Sequence, residues 1–333
     1  MSAPRFDVLG IGNAIVDVIA RTEDDFLVRH QMHKGTMRLI DEAKAAAIYD
    51  AMGPAIEVSG GSAANTIVGA ASLGLRAAFV GKVRQDQLGR VFAHDIRSAG
   101  VRFETTPAAA GPSTGRSYVL VTPDGERTMN TYLGAAQDLH PGDLDEEAIA
   151  AAGITYLEGY LWDPPRAKEA FLTAARIAHR AGRQVALTLS DTFCVERHRA
   201  EFLDLIRGGT VDLLFANERE LHSLYETADF KTALDALRED ARLAVITRSE
   251  KGCLVVTREE TEAIPAVPVE RVVDATGAGD LFAAGFLAGL ARAADHRTSA
   301  RLGTLAAAEV IGHLGARPQT SLKALAEDNG LGL

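Results

Sequence analysis

Short apolar runs alternate with stretches of helical period along most of this chain. Residues 6–12, 77–83, 154–158, 184–189, 211–215 and 243–247 read as buried strands. Helical patterns fall at 42–52, stopped by Gly53-Pro54, and at 87–98, closed by Gly100. Others cover 166–181, 199–207, 218–226, 281–292 and 298–314, and residues 62–73 form a small-residue helix ending at Gly74. This rhythm predicts an α/β fold, a doubly wound and mainly parallel sheet with helices on both faces. Two stretches break it. Residues 117–122 and 127–133 flank Pro123-Asp-Gly125, a strong hairpin signal, and residues 15–39 are extended. Paired, they predict a small β-sheet lid, which divides the chain into a core (1–13, 40–101 and 136–333) and a lid (14–39 and 102–135). A second hairpin is expected at 252–257 and 263–269, and Val272 and Val273 read as a strand end.

Composition narrows the function. With 47% apolar and 24% charged residues, the 333-residue chain can bury a sizeable core. A formal net charge of −10 argues against nucleic-acid or anionic-membrane partners, so any polyanionic ligand needs a local cradle. Two distant cysteines, Cys194 and Cys253, make a disulfide framework or cysteine-zinc site improbable. Arg5 and Asp7 interrupt the N-terminus before any signal-like apolar region, and no apolar run approaches membrane-spanning length. The expectation is a cytoplasmic protein with a small-molecule substrate.

The most informative segment is Asp274-Ala-Thr-Gly-Ala-Gly-Asp280, followed by an apolar helical run. Glycines at a helix start aim unpaired N–H groups at an anion, and a carboxylate stands beside them. That pairing suits phosphoryl transfer. As a helix cap, Asp280 would have low proton affinity and would chiefly orient the nucleophile. Packing alone explains such a turn equally simply. Gly60-Gly61-Ser62-Ala-Ala-Asn65 is a second glycine turn leading into a helix, with Ser62 as its expected cap. Asn13 and Asp17 follow the first strand, where ligands sit in doubly wound sheets. Asn217 and Glu220 have capping-box spacing, and Glu220 is also a candidate for ordering water around Mg²⁺. Gly10-Ile-Gly12 lacks the third glycine of a dinucleotide fingerprint, and no P-loop is present.

Together these residues resemble the PfkB, or ribokinase-like, carbohydrate kinases. Gly60–Asn65 looks like the first signature of that family and residues 274–285 match the second nearly letter for letter. The wording around Asn13–Asp17, Glu126-Arg-Thr-Met-Asn-Thr-Tyr-Leu-Gly134 and Tyr156-Leu-Glu-Gly-Tyr-Leu-Trp-Asp-Pro164 is most similar to the bacterial adenosine kinase branch. The resemblance implies ATP and Mg²⁺ as the donor system and phosphorylation of a 5′-hydroxyl. Asp280 would be the base, and Gly277, Ala278 and Gly279 the anion hole. Asp17, Gly61 and Asn65 would hold the ribose, with Asn13 near the nucleoside. Asn217 and Glu220 would organise Mg²⁺ and phosphate. Thr247 and Gly252 would contact ATP, although Ser249 replaces a customary glycine. The family also implies a K⁺ site to which Asp274 and Thr276 would contribute, and a monomer or lid-mediated homodimer. A purine needs an apolar slot, for which Met37, Leu39, Met129 and Leu133, with Tyr160, Leu161 and Trp162 opposite, are candidates. A kinase for a free sugar or another nucleoside, and a non-catalytic nucleotide sensor, are the alternatives.

Overall fold

The computed structural model describes residues 4–332. Its strands are β1 (Phe6–Ile11), β2 (Ile15–Arg21), β3 (Met37–Leu39), β4 (Ile56–Gly60), β5 (Ala77–Val80), β6 (Val101–Phe103) and β7 (Gly115–Val121). They continue with β8 (Arg127–Tyr132), β9 (Ala152–Glu158), β10 (Gln184–Thr188), β11 (Leu213–Asn217), β12 (Leu243–Thr247), β13 (Cys253–Thr257) and β14 (Thr261–Ile264). Nine strands form one sheet in the order β14-β13-β12-β11-β10-β9-β1-β5-β6. The seven from β12 to β6 run parallel, and β13 and β14 add an antiparallel edge. Every residue of β1 is buried, as expected of a central strand covered on both faces. The chain leaves β1 in both directions of the strand order, toward β5 and toward β9, which makes its carboxyl end a topological switch point.

The helix Ala278–Ala291 is buried on nearly all sides, which its run of alanines, glycines, leucines and phenylalanines permits. It packs on the helices Ser62–Ser72 and His296–Val310.

Five strands form the smaller sheet, in the order β3-β8-β7-β2-β4. Two boundaries differ from the sequence reading. Ile56–Gly60, assigned to the core, pairs with β2, and Val101–Phe103, of which residues 102 and 103 were assigned to the lid, is the edge strand of the large sheet. Both are too short to carry a periodic signal, and their partners lie far away in sequence. Within 14–39 the chain also forms a helix, Asp24–Arg29, whose Phe26 and Leu27 cover the back of the small sheet. The second hairpin ends at Ile264, earlier than expected. No strand includes Val272 and Val273, which are 55% and 40% exposed.

Candidate active site

The segment 274–280 starts from an irregular loop whose Val273 and Asp274 N–H groups donate to Ile311 O. Gly277 adopts φ +79° and is the N-cap of Ala278–Ala291. A Cβ there would lie 2.7 Å from the Cβ of Ala316, so both conformation and space require glycine. The N–H groups of Gly277 and Gly279 meet no acceptor in the described chain, whereas that of Ala278 reaches Ala275 O at 3.2 Å. Beside Gly279 the space is open. Two of the three expected donors are thus free at a positive helix end, which makes an anion cradle.

Asp280 is the third residue of the helix rather than its cap, and this changes its chemistry. Its carboxylate accepts from Ser62 Oγ at 2.7 Å and Asn65 Nδ2 at 3.1 Å. Burial pushes its pKa up, against the pull of those two hydrogen bonds and of the Arg317 charge. The low proton affinity expected of a cap is reversed, because desolvation in the cleft outweighs the donors. Ser62 is not the cap of its helix either. Gly61, at φ +100°, holds that position, and the Ser62 hydroxyl is given to Asp280.

The structure brings Asp17, Asn13 and Asn65 together near the Asp280 carboxylate. No hydrogen bond from the described chain reaches the Asp17 carboxylate, which burial raises to about 6 against the pull of Arg317, with Asp280 adding to the rise and Arg127 opposing it. Asn13 and Asn65 are 3% and 5% exposed, and the Oδ1 atom of each is buried without a partner. Two amide oxygens and a half-buried carboxylate, all three without donors, call for a ligand rich in hydroxyl or amino groups. Two residues to which no role was assigned from the sequence support them. Glu158, at the end of β9, is fully buried and accepts from Asn13 N, Asn13 Nδ2 and Ala63 N at 2.8, 2.6 and 2.7 Å. Burial raises it to about 7. Arg317 donates to Ser59 O and Oγ and to Ala64 O, and thereby ties β4 to the helix Ser62–Ser72.

Register places the remaining candidates. Asp17 pairs with Ser117, Ser117 with Thr131, and Thr131 with Leu39. One step along, Ile19 pairs with Val119, Val119 with Met129, and Met129 with Met37. Paired residues share a face, so Asp17, Met37, Leu39, Met129 and Arg127 lie on the same side of the small sheet. Met37 and Leu39 are 44% and 56% exposed there. From this face Arg127 Nη1 reaches Asp274 Oδ2 at 2.5 Å and Thr276 Oγ1 at 3.2 Å, which joins the small sheet to the anion loop. Its Nε and Nη2 are buried without partners. Asp274 also accepts from Thr276 N and Gly315 N. Its carboxylate thus accepts three chain donors, one of them a guanidinium, and a K⁺ at that point would have to share it with Arg127.

Tyr160 lies within electrostatic reach of the site carboxylates. Its N–H donates to Ser190 Oγ, and burial, with Asp191, Asp280, Glu220 and Glu158 in electrostatic reach, pushes its phenol up. Leu161 and Trp162 are core, the indole packing near Phe171 and Phe202, so neither faces a base slot. Asn217 and Glu220 form the full capping box, both Glu220 oxygens turned back to Asn217. Burial lifts Glu220 to about 7. Thr247 ends β12 on the same edge of the sheet. Gly252 is buried, and a Cβ there would meet Ile264 O at 2.0 Å, so the β13–β14 hairpin by itself requires glycine. Ser249 adopts φ +51°, keeping the left-handed backbone for which glycine is customary.

These groups collect at the carboxyl ends of the parallel strands. The open groove lined by Gln184, Asp212, Arg242 and His296 lies at the opposite ends, away from this chemistry. An anion cradle, an adjacent carboxylate and a hydroxyl-seeking pocket on a doubly wound sheet define a phosphotransferase acting on an alcohol group. Residues 56–323 match the model of the pfkB family carbohydrate kinases, and the chain belongs to that family. The crystal structure of adenosine kinase from Sinorhizobium meliloti is 54% identical and covers 98% of this chain and 99% of its own, with a TM-score of 0.91. A probable sugar kinase protein from Rhizobium etli CFN 42 is 52% identical over 98% of this chain and 99% of its own, with a TM-score of 0.92. A probable fructokinase-3 of Arabidopsis thaliana is 29% identical over 70% of this chain and 69% of its own length. The resemblance to the bacterial adenosine kinase branch is thereby supported.

Proposed function

We propose that the protein transfers the γ-phosphoryl group of ATP to the 5′-hydroxyl of adenosine, giving AMP and ADP. One observation carries the reading: the Asp280 carboxylate stands beside two free N–H groups at a helix start where Gly279 is exposed, and the unpartnered Asp17 lies within electrostatic reach of it. Asp280 takes the hydroxyl proton as the new O–P bond forms. The bond from the γ-phosphorus to the β,γ-bridging oxygen breaks, and ADP leaves. Gly277 and Gly279 N–H groups hold the phosphoryl oxygens where charge develops. A carboxylate with raised proton affinity suits this proton transfer better than an ordinary one. Asp17, Asn13 and Asn65 accept from the nucleoside. Arg127 keeps one nitrogen on Asp274 and offers two free ones to the phosphates.

Among the described residues no three His, Cys, Asp or Glu side chains cluster as a metal site. Mg²⁺ would then be held chiefly by nucleotide phosphates and water, with Asn217 and Glu220 as the candidates to order that water. When bound, Mg²⁺ neutralises phosphate charge. Thr247 contributes to the nucleotide side.

Adenosine is favoured over a free sugar by the exposed Met37 and Leu39 beside Met129, an apolar strip that a purine covers. The fructokinase relative motivates the second reading. ADP release measured over adenosine, inosine, ribose and fructose separates them. Preference for fructose or ribose overturns the nucleoside reading, and binding without ADP release makes the protein a sensor.

A further inference from the structure

The buried amide of Asn13 is oriented by a fully buried carboxylate, that of Glu158. Its Nδ2 donates to Glu158 Oε1 at 2.6 Å, and its backbone N–H donates to the same oxygen at 2.8 Å. The amide oxygen therefore points away from Glu158, and it has no partner. Glu158 Oε2 accepts Ala63 N at 2.7 Å. Ala63 is in the first turn of a helix whose cap, Gly61, has no side chain to offer, so β9 supplies the missing acceptor from across the fold. Gly12 gives Glu158 its room: a Cβ on residue 12 would lie 2.3 Å from Oε2. All three bonds to Glu158 come from N–H donors, the pattern of an ionised carboxylate that only accepts.

We infer that Glu158 is a positioning residue that fixes the polarity of the acceptor pocket. By holding the Asn13 amide nitrogen, it makes residue 13 present an oxygen, so the pocket selects a ligand group that donates a hydrogen bond. This rests on the proposed nucleoside reading, in which a ribose hydroxyl is that donor. An amide at 158 reverses the arrangement. One end of a glutamine carries N–H groups, which cannot accept from Asn13. A glutamine must set its NH₂ against either the Ala63 or the Asn13 backbone N–H, so one bond is lost in either orientation; with its NH₂ toward residue 13, the Asn13 amide turns over and presents an NH₂ group to the ribose. Two donors meet, and binding is lost without any change at Asp280.

The test compares wild type with Glu158→Gln on adenosine, 2′-deoxyadenosine and 3′-deoxyadenosine, with KM and kcat read by ADP release. The expected result is a rise in KM for adenosine of about tenfold or more, with kcat changed less than about threefold. With one of the two deoxynucleosides, the one lacking the donor to Asn13, the variant and wild type should have the same KM. An equal KM penalty on all three nucleosides overturns the inference, as does a fall in kcat at unchanged KM. If Glu158→Gln does not fold, crystals of wild type with adenosine decide. Asn13 Oδ1 within about 3.2 Å of a ribose hydroxyl is expected, and no donor of the nucleoside within reach of it overturns the inference. If wild type releases ADP only with a free sugar, the nucleoside reading fails by itself. The same comparison, run with that sugar and its deoxy forms, still tests Glu158.

Discussion

Replacing Asp17 by asparagine should make the free protein more stable and a worse enzyme. The carboxylate is surrounded by protein and accepts no hydrogen bond from the described chain, and its pKa rises from 3.8 to about 6. That rise corresponds to at most about 3 kcal/mol between its two protonation states. Because it retains contact with cleft water, an effective cost of about 1–3 kcal/mol for holding it ionised is reasonable. The sign follows from proton counting. Between pH 3.8 and about 6 the folded protein binds more protons at this site than the unfolded chain, so stability falls as pH rises through that window. Above it, the full cost is present. Asp17→Asn removes the cost, and at pH 7.5 its melting temperature should exceed that of wild type by about 2–5 °C. The gain should shrink as pH is lowered toward 5, where wild type becomes protonated. In parallel, KM for adenosine should rise about tenfold or more, because a charged acceptor of ribose hydroxyls has been lost. Scanning calorimetry at pH 5 and 7.5 with an ADP-release assay checks both arms. A variant less stable than wild type at pH 7.5, or one with unchanged KM, would refute the reasoning.

Three further outcomes are expected. The pKa of Asp280 is raised, so kcat should fall as pH drops below its acid limb, and that limb should lie above the range of an exposed aspartate; Asp280→Asn should lose about 10²-fold or more in kcat while nucleoside binding persists. Because the Arg127 guanidinium already neutralises Asp274, exchanging K⁺ for tetramethylammonium at constant ionic strength should leave turnover within about twofold; a tenfold loss would show that a cation shares Asp274 with the guanidinium. Gly277→Ala places a Cβ at φ +79° against Ala316 and should cost about 1–3 kcal/mol in stability with a large loss of kcat, read by denaturant midpoint and assay.

Much of this site was legible before any coordinates, because its parts are local. Residues 274–280 form one turn, Gly61 and Asn65 one helix start, and Asn13 and Asp17 one strand exit. What escaped needed tertiary placement. Glu158 reads as the last residue of a buried strand, and only the neighbouring strand end and the helix start of Ala63 reveal its three donors. Arg317 follows a glycine turn with no pattern of its own, yet its guanidinium spans two elements. Arg127 was within reach, since strand alternation sets it on the same side as Met129, but its partner lies 147 residues further on. Misplaced Ile56–Gly60 and Val101–Phe103 show the same limit, in that short strands take their sheet from partners rather than from their own composition. The proton affinity of Asp280 was misjudged because a single helical position, third rather than capping, changes which surroundings the carboxylate sees.

The small sheet gathers Asp17, Met37, Met129 and Arg127 on one tile, while Asp280 and the free N–H groups belong to the helix beneath. On the proposed reading the apolar contacts to the acceptor and Asp17 lie on the small sheet, while Asn13, Asn65 and Asp280 stay with the core. Exchanging residues 37 and 129 can retune which alcohol is admitted without disturbing the machinery that phosphorylates it, a modularity that lets one scaffold diversify among acceptors.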